Sequence, residues 1–335
     1  MPGRAAVLVP VWLALGGWTG EQSALDPAAD QASSLHGLLM LMLWVCGFMY
    51  LLVLGFLAWA LWRARGRRLQ GDAPEAEARD PGLEKVLSGW TGLVAAGILV
   101  LTAASFLVDR SLAQSGPRPL KIRVTAQQWW WQIQYQDPDV SRTLITANEL
   151  HLPANRTAEI ELVSQDVIHS FWVPNLHGKE DLIPGRTNHI VLTPRRAGHF
   201  RGQCAEFCGL QHANMAIDVT VETPGRFQTW MDQQLKDAPE PSTDLQKTGR
   251  QVFMSSGCVL CHTIQGTDAG SNAGPDLTHI ASRKSLAAGS LAYDRGALAG
   301  WINDPQAFKP GAKMPRVGLG PEQLNAVVDY LDSLK

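Results

Sequence analysis

Two stretches of the chain are hydrophobic without any charge to interrupt them: residues 31–62 and 86–108 contain no Asp, Glu, Lys or Arg. A helix rises about 1.5 Å per residue, so it needs about 20 apolar residues to cross a bilayer core. Residues 35–62 suffice with some tilt and residues 86–108 just suffice. Buried helices of soluble bundles seldom run this long without charge, so the pattern predicts a two-helix transmembrane hairpin. From Lys121 onward the period changes. Residues 121–125, 159–163 and 218–221 alternate polar and apolar side chains, as half-buried strands do. Pro153, Pro174, Pro184-Gly185, Pro194, Gly198 and Gly202 punctuate this region, which predicts an all-β sandwich or barrel. Pro224-Gly225 then opens an expected helix over 226–236. After the acidic, proline-rich 237–244, expected to be a flexible linker, helical periodicity takes over. Helices are predicted over 245–255 and 321–334, the latter with Leu324, Val327, Val328 and Leu331 on one face.

Charge orients the hairpin. Arg63, Arg65, Arg67 and Arg68 follow the first span, whereas residues 1–34 carry only one basic residue, Arg4. The 63–85 loop is therefore expected on the cytoplasmic side, and everything after Val108 outside. Arg110, Arg118, Lys121 and Arg123 pull the other way, but long domains translocate regardless of charge. Arg4 followed by an uncharged 5–20 predicts a secretory signal over about residues 1–24, with Leu15-Gly16-Gly17 as the cleavage region. Trp18 stands where a lipoprotein signal would place Cys, so lipidation is not supported; the segment staying attached is the alternative. The whole chain has 29 basic against 31 acidic residues, which gives nucleic-acid binding no electrostatic support.

Candidate chemistry gathers in two places. The first is Cys204-Ala-Glu206-Phe-Cys208-Gly-Leu-Gln-His212-Ala-Asn-Met215, with His169 upstream. Thiolate and thioether are soft ligands and imidazole suits copper. A blue single-copper site needs one Cys; a second allows two thiolates to bridge two copper ions. Three other readings stand beside this: a Cys204–Cys208 disulfide, structural zinc on the two Cys and two His, and Met215 as core filler. The second place is Cys258-Val-Leu-Cys261-His262, the attachment signal of c-type haem. Met314 follows it, and Met/His ligation is the electron-transfer arrangement. His279 is the rival sixth ligand, only 17 residues after His262. The absence of a surrounding βαβ pattern counts against a Cys-x-x-Cys redox pair. Of five cysteines only Cys46, in the first span, lies outside these motifs, and it suits a small apolar filler.

The spacing Cys204-x-Glu206-x-Cys208-Gly-x-x-His212-x-x-Met215, with Asp166-Val-Ile-His169-Ser upstream, resembles the dinuclear CuA motif of cytochrome c oxidase subunit II. The two-span hairpin, the aromatic run Gln128-Trp129-Trp130-Trp131 and Pro184-Gly185-Arg186 fit the same family, over about residues 25–236. Residues 245–335 resemble a class I cytochrome c, through Gly274-Pro275-Asp276-Leu277 and Trp301-Ile-Asn-Asp304-Pro305 as well as the haem signal. The resemblance implies a membrane hairpin over 25–116, a cupredoxin-like CuA sandwich over 117–236 and an all-α cytochrome c domain over 245–335. It implies copper ligation by His169, Cys204, Cys208, His212 and Met215 and by the carbonyl of Glu206, whose carboxylate would reach a magnesium ion shared with subunit I. Haem c would be held by Cys258 and Cys261 with His262 and Met314 as axial ligands, and Pro275 would orient His262 through its carbonyl. Trp129 would lie at the surface as the electron-entry residue, although strand packing is the plainer role for Trp129–Trp131.

The activity implied is electron input to a proton-pumping haem–copper oxidase, whose oxygen-reducing site lies on another subunit. Its partners would be subunit I, subunit III and an external cytochrome donor, in a bacterial plasma membrane with both soluble domains on the periplasmic side. A quinol-oxidase subunit would lack the copper ligands present here. A CuA-containing nitric oxide reductase subunit and a free-standing membrane electron carrier are the remaining alternatives; Glu206 speaks against the carrier, because its carboxylate has a use only at a subunit I interface.

Overall fold

The computed structural model describes residues 20–69 and 81–335. The proposed cleavage region Leu15-Gly16-Gly17 and residues 70–80 of the expected 63–85 loop lie outside the described residues; the rest of that segment is helical. Among the described residues two units emerge, one within 33–113 and one of 114–335 together with 20–32. The first unit is a pair of long helices, α1 (Asp30–Leu69) and α2 (Pro81–Leu112), each long and apolar enough to cross a membrane. Their large apolar side chains, Trp44, Leu51, Phe56, Leu99 and Phe106 among them, face outward, as a helix in lipid requires.

The second unit begins with a β-sandwich. One sheet has the order β3-β2-β1-β5-β8, formed by β1 (Leu120–Gln127), β2 (Trp130–Gln136), β3 (Leu144–Ala147), β5 (Ala158–Ser164) and β8 (Asn188–Leu192). The other has the order β4-β10-β9-β6-β7, formed by β4 (Glu149–Pro153), β6 (His169–Trp172), β7 (Glu180–Leu182), β9 (Gly198–Cys204) and β10 (Ala216–Glu222). Period two explains the burial. In β2 the residues Trp131, Ile133 and Tyr135 point inward and the residues between them do not. Ala158, Ile160 and Leu162 do the same in β5. The Tyr135 hydroxyl links the sheets, donating to the carbonyl of His151 at 2.9 Å and accepting its N–H at 2.7 Å.

The stretch just before α1 is stitched to this sandwich. Arg201 N–H donates to the Glu21 carbonyl at 2.7 Å, Asn175 donates to the carbonyls of Gly20 and Asp26, both at 2.9 Å, and Ala28 and Ala29 are buried in the core. Helix α3 (Pro224–Gln234) closes the sandwich through Phe227 and Met231.

The cytochrome-like part follows. Helix α4 (Asp244–Ser255) opens on a capping box between Thr243 and Gln246, which satisfies two of its free N–H groups. It crosses α7 (Pro321–Asp332) at Gly249, where any Cβ would stand 2.0 Å from the Ala326 carbonyl oxygen. A short hairpin of β11 (Ser285–Leu286) and β12 (Leu291–Ala292) precedes α5 (Arg295–Asn303) and α6 (Pro305–Phe308), elements the periodicity did not announce. Phe253, Ile264, Leu298, Ile302, Val327 and Leu331 form the core.

The 237–244 stretch differs from the flexible linker expected of its composition. Ala238 N–H donates to the Gln265 carbonyl at 3.0 Å, Arg250 pairs with Glu240 at 2.7 Å, and the Lys236 carbonyl lies 3.1 Å from His279 Nε2. Proline and acid content register low helix and strand propensity, not the tertiary contacts that fix a segment.

Candidate metal centre and adjoining cavity

Strand β9 ends at Cys204, β6 begins at His169, and the turn between β9 and β10 carries the other candidate ligands. Phe171 of β6 pairs with Cys204 of β9, which brings His169 over the turn. The six donor atoms of the sequence motif converge. Cys204 Sγ lies 3.7 Å from Cys208 Sγ, 3.8 Å from His169 Nδ1 and 3.3 Å from the Glu206 carbonyl oxygen. Cys208 Sγ lies 3.6 Å from His212 Nδ1 and 4.0 Å from Met215 Sδ. A disulfide has its sulfurs about 2.05 Å apart; both thiols here are free. Cys204, Cys208, His169 and Met215 are buried. Two thiols, two imidazoles, a thioether and a carbonyl around one buried point form a soft donor set that fits copper. The thioether and carbonyl exceed what a four-coordinate zinc site needs.

Within the cluster the two thiols are driven apart. The hydrogen bond from Cys208 pulls Cys204 well below the usual thiol range, helped by His169 against burial. The same bond and burial push Cys208 up. Burial opposes the charged form of His169, but hydrogen bonds to Cys204 and Asp166 outweigh it and raise its pKa. His169 Nε2 donates to Asp166 Oδ1 at 2.9 Å, leaving Nδ1 toward the sulfurs, the arrangement in which a carboxylate orients a metal-binding imidazole. The Glu206 carboxylate is half-exposed beside Lys179, 3.8 Å off.

Trp129 departs from its expected surface position. It is 9% exposed. Its Nε1 donates to the Cys208 carbonyl at 3.0 Å, and Gln128 Nε2 donates to the same oxygen at 2.8 Å. The cytochrome-like part covers it: the position a Cβ of Gly311 would take is 3.5 Å from the indole ring. Nothing in the linear sequence marks the contact between the two soluble parts that covers Trp129.

That covering part encloses a cavity of about 540 Å³, lined by Cys258, Cys261, His262 and Met314, and on one side by Trp129 and Trp130. His262 Nδ1 donates to the Pro275 carbonyl at 2.7 Å. Burial depresses the pKa of His262 against the effect of this bond, so the ring is neutral with Nε2 free to ligate. A Cβ at Gly274 would stand 2.9 Å from His262 Cε1, so only glycine leaves the ring its place. Two thiols, a free imidazole nitrogen and a thioether in one apolar cavity fit a c-type haem. His279 is accounted for otherwise: its Nδ1 lies 3.0 Å from the Lys335 carbonyl and its Nε2 3.1 Å from that of Lys236.

Two residues near the sites escaped sequence reading. Lys309 is buried beneath both. Arg283 crosses to the sandwich, its Nε 3.6 Å from Glu149 Oε1, beside a cluster in which His151 lies 3.4 Å from Glu222 and stacks on Trp230 at 4.0 Å. Neither Lys309 nor Arg283 belongs to a motif of recognisable spacing.

A membrane hairpin, a cupredoxin-like sandwich with a soft metal centre and a helical haem-binding domain together define a membrane-anchored electron-transfer protein. Residues 137–222 match the family described as cytochrome C oxidase subunit II, periplasmic domain, and residues 246–335 match cytochrome c. The cytochrome c oxidase subunit 2 of Alkalihalophilus pseudofirmus is 33% identical over 332 residues, 96% of this chain and 94% of its own. That of Bacillus sp. (strain PS3) is 30% identical over 80% of each chain. Among solved structures, the periplasmic domain of cytochrome oxidase subunit II of Bradyrhizobium japonicum is 30% identical over 36% of this chain and 96% of its own, with a TM-score of 0.34. The chain belongs to the cytochrome c oxidase subunit 2 family and carries a C-terminal cytochrome c domain. It is a subunit of an oxidoreductase complex, a membrane protein with extracytoplasmic domains whose general role is electron input.

Proposed function

We propose that the chain takes electrons from an external cytochrome at haem c and passes them through the region of Trp129 to a dinuclear CuA centre, and from there to subunit I of a proton-pumping oxidase. Cys258, Cys261, His262 and Met314 hold the haem; His169, Cys204, Cys208, His212, Met215 and the Glu206 carbonyl hold the copper ions. Bound there, the two groups supply one-electron redox chemistry. The rest is the work of the chain: Asp166 and Pro275 fix two imidazoles, burial of Cys204, Cys208 and Met215 keeps water from the copper ligands, and the Cys204 N–H bond to the Met215 carbonyl at 2.9 Å closes the turn that carries them. The observation that carries this reading is the placement of Trp129, which lines the cavity and hydrogen-bonds the carbonyl of a copper-ligating cysteine. The half-exposed Glu206 carboxylate remains available for a magnesium ion at the subunit I interface, a hard oxygen ligand for a hard cation. Subunit III and a bacterial plasma membrane complete the assembly, with residues 117–236 as the copper domain and 245–335 as the haem domain on the periplasmic side.

The test is the metal content and optical spectrum of the matured full-length chain in detergent. Two coppers per covalent haem with a mixed-valence copper signal are expected. One copper or none, with Cys204 and Cys208 joined to each other, overturns the copper assignment.

A further inference from the structure

Lys309 belongs to neither ligand set, yet it is 2% exposed. It directly follows α6 and precedes Met314 by five residues. Its Nζ donates to the carbonyl oxygens of Trp129 at 2.8 Å, Asn214 at 2.7 Å and Ala287 at 2.9 Å. An ammonium has three N–H donors and no acceptor, so the three carbonyls match it one to one. A neutral amine, with two N–H groups, would leave one of these three bonds unmade. Burial pulls Lys309 down to about 7, and the three carbonyl dipoles aimed at its nitrogen act in the opposite direction.

The acceptors join separate parts of the molecule. Trp129 lies between β1 and β2, Asn214 precedes Met215 in the copper-ligand turn, and Ala287 belongs to the β11–β12 turn of the cytochrome domain. The same turn is tied to the sandwich by Ala216 N–H, which donates to the Ala288 carbonyl at 2.9 Å. Gln211 Nε2 donates to the Pro310 carbonyl at 2.8 Å. Lys313 also reaches across, to Asp166 at 3.3 Å, but its side chain is 64% exposed, and solvent screens such a pair. Lys309 is thus a buried charge of the contact, alongside the Arg283–Glu149 pair, and it bonds three separate segments at once.

We propose that Lys309 is the positioning residue that locks the cytochrome domain onto the sandwich, holding the Met314 loop against Trp129 and the copper-ligand turn. Without its head group the buried Trp129 carbonyl loses its donor, and the Asn214 and Ala287 carbonyls are left to share Ser290 Oγ, at 3.5 and 2.8 Å, so undocking, which gives them water, becomes easier. Docked, the cytochrome domain covers Trp129, so an external donor reaches the haem domain and not the tryptophan. The docking itself stands on protein contacts alone; its consequence for electron transfer rests on the copper and haem reading above.

Two measurements on the full-length, cofactor-loaded chain in detergent test the lock. In the wild type, acetylation by an amine-reactive reagent, followed by mass spectrometry, should modify Lys309 at least tenfold more slowly than Lys313; equal rates overturn the proposal. In Lys309→Met, which keeps the length of the stem, amide exchange should accelerate together in 128–131, 212–216 and 286–289, and electron equilibration between haem and copper should slow, while both optical spectra stay as they are. Lys309→Arg, which keeps charge and donors, should restore part of the protection. Unchanged exchange in all three segments with both spectra intact overturns the proposal. Where Lys309→Met loses either spectrum by misfolding, the wild-type labelling ratio decides. A wild-type chain lacking haem or copper bands overturns the cofactor reading, and the labelling ratio still tests the lock.

Discussion

Trp129 Nε1 donates to the carbonyl of Cys208 at 3.0 Å, which places an indole ring in direct contact with the backbone of a candidate copper ligand. Trp129 also lines the cavity that holds Cys258, Cys261, His262 and Met314. One side chain therefore touches both halves of the electron-input machinery. Gln128 shares the same acceptor, so the carbonyl keeps a partner if the indole N–H is removed.

Trp129→Phe separates the ring from its hydrogen bond. Losing one buried hydrogen bond costs about 1 kcal/mol, whereas Trp129→Ala also opens a cavity and costs about 3–5 kcal/mol. Denaturant unfolding of the full-length chain should reproduce this order. Electron equilibration between haem and copper should slow in both variants, more in Trp129→Ala. Equal rates in wild type and Trp129→Ala would remove Trp129 from the pathway.

Met215 is fully buried, 4.0 Å from Cys208 Sγ. Leucine conserves most of its volume, and such swaps usually cost less than about 1.5 kcal/mol. Met215→Leu should therefore keep the fold and the covalent haem while the copper absorption and magnetic signals shift, because a thioether ligand has gone. An unaltered copper spectrum would return Met215 to the role of core filler.

Much of this was legible in the sequence because the signals are local. Charge-free runs over 31–62 and 86–108 mark helices that meet lipid, and alternation marks β2 and β5. The spacing from Cys204 to Met215 closes one turn around one point. Cys258-x-x-Cys261-His262 specifies its own chemistry. The docking of the two soluble domains was not legible, because it depends on single residues far apart in the chain. Lys309 meets Trp129 across 180 positions, and Arg283 meets Glu149 across the same face. Nothing in a lysine before Pro310-Gly311 distinguishes a buried ammonium from a solvated one. The covered position of Trp129 follows from the same contact.

Gly249 carries the crossing of α4 and α7. A Cβ there would stand 2.0 Å from the Ala326 carbonyl oxygen and 2.7 Å from Tyr330 Cβ, backbone and rigid side chain that cannot swing away. Gly249→Ala should separate the helices. Overpacking of this kind costs about 1–3 kcal/mol or more, well above the gain of up to about 1 kcal/mol that alanine brings to an exposed helix interior. Because α7 supplies Val327 and Leu331 to the cavity wall, the variant should also retain less covalent haem. Thermal unfolding and the haem-to-protein absorbance ratio check both, and a variant as stable as wild type would mean that the helices shift without penalty.

The cluster around His151 sets a pH window for stability. Burial disfavours the charged ring, but Glu149 and Glu222 together raise its pKa above the ordinary value. Its contribution is full below the unfolded histidine value of about 6.5 and is lost as pH rises through the raised folded value. For Glu149, burial is outweighed by His151, Arg283 and Thr146, and its pKa is lowered. The hydrogen bond to His151 lowers Glu222, against burial. Their contributions are full above about 4.3 and are lost as pH falls through their folded values. Full stabilisation by the cluster is therefore expected between about pH 4.3 and 6.5, and it should decline on the alkaline side. His151→Gln should cost roughly 1.5–3 kcal/mol near pH 6, the range for hydrogen bonds to charged groups, and progressively less toward pH 9. Unfolding midpoints of wild type and variant, measured in parallel across that range, should converge as pH rises. Curves that stay parallel would show that the His151 charge adds nothing to stability and that its stacking on Trp230 is what matters.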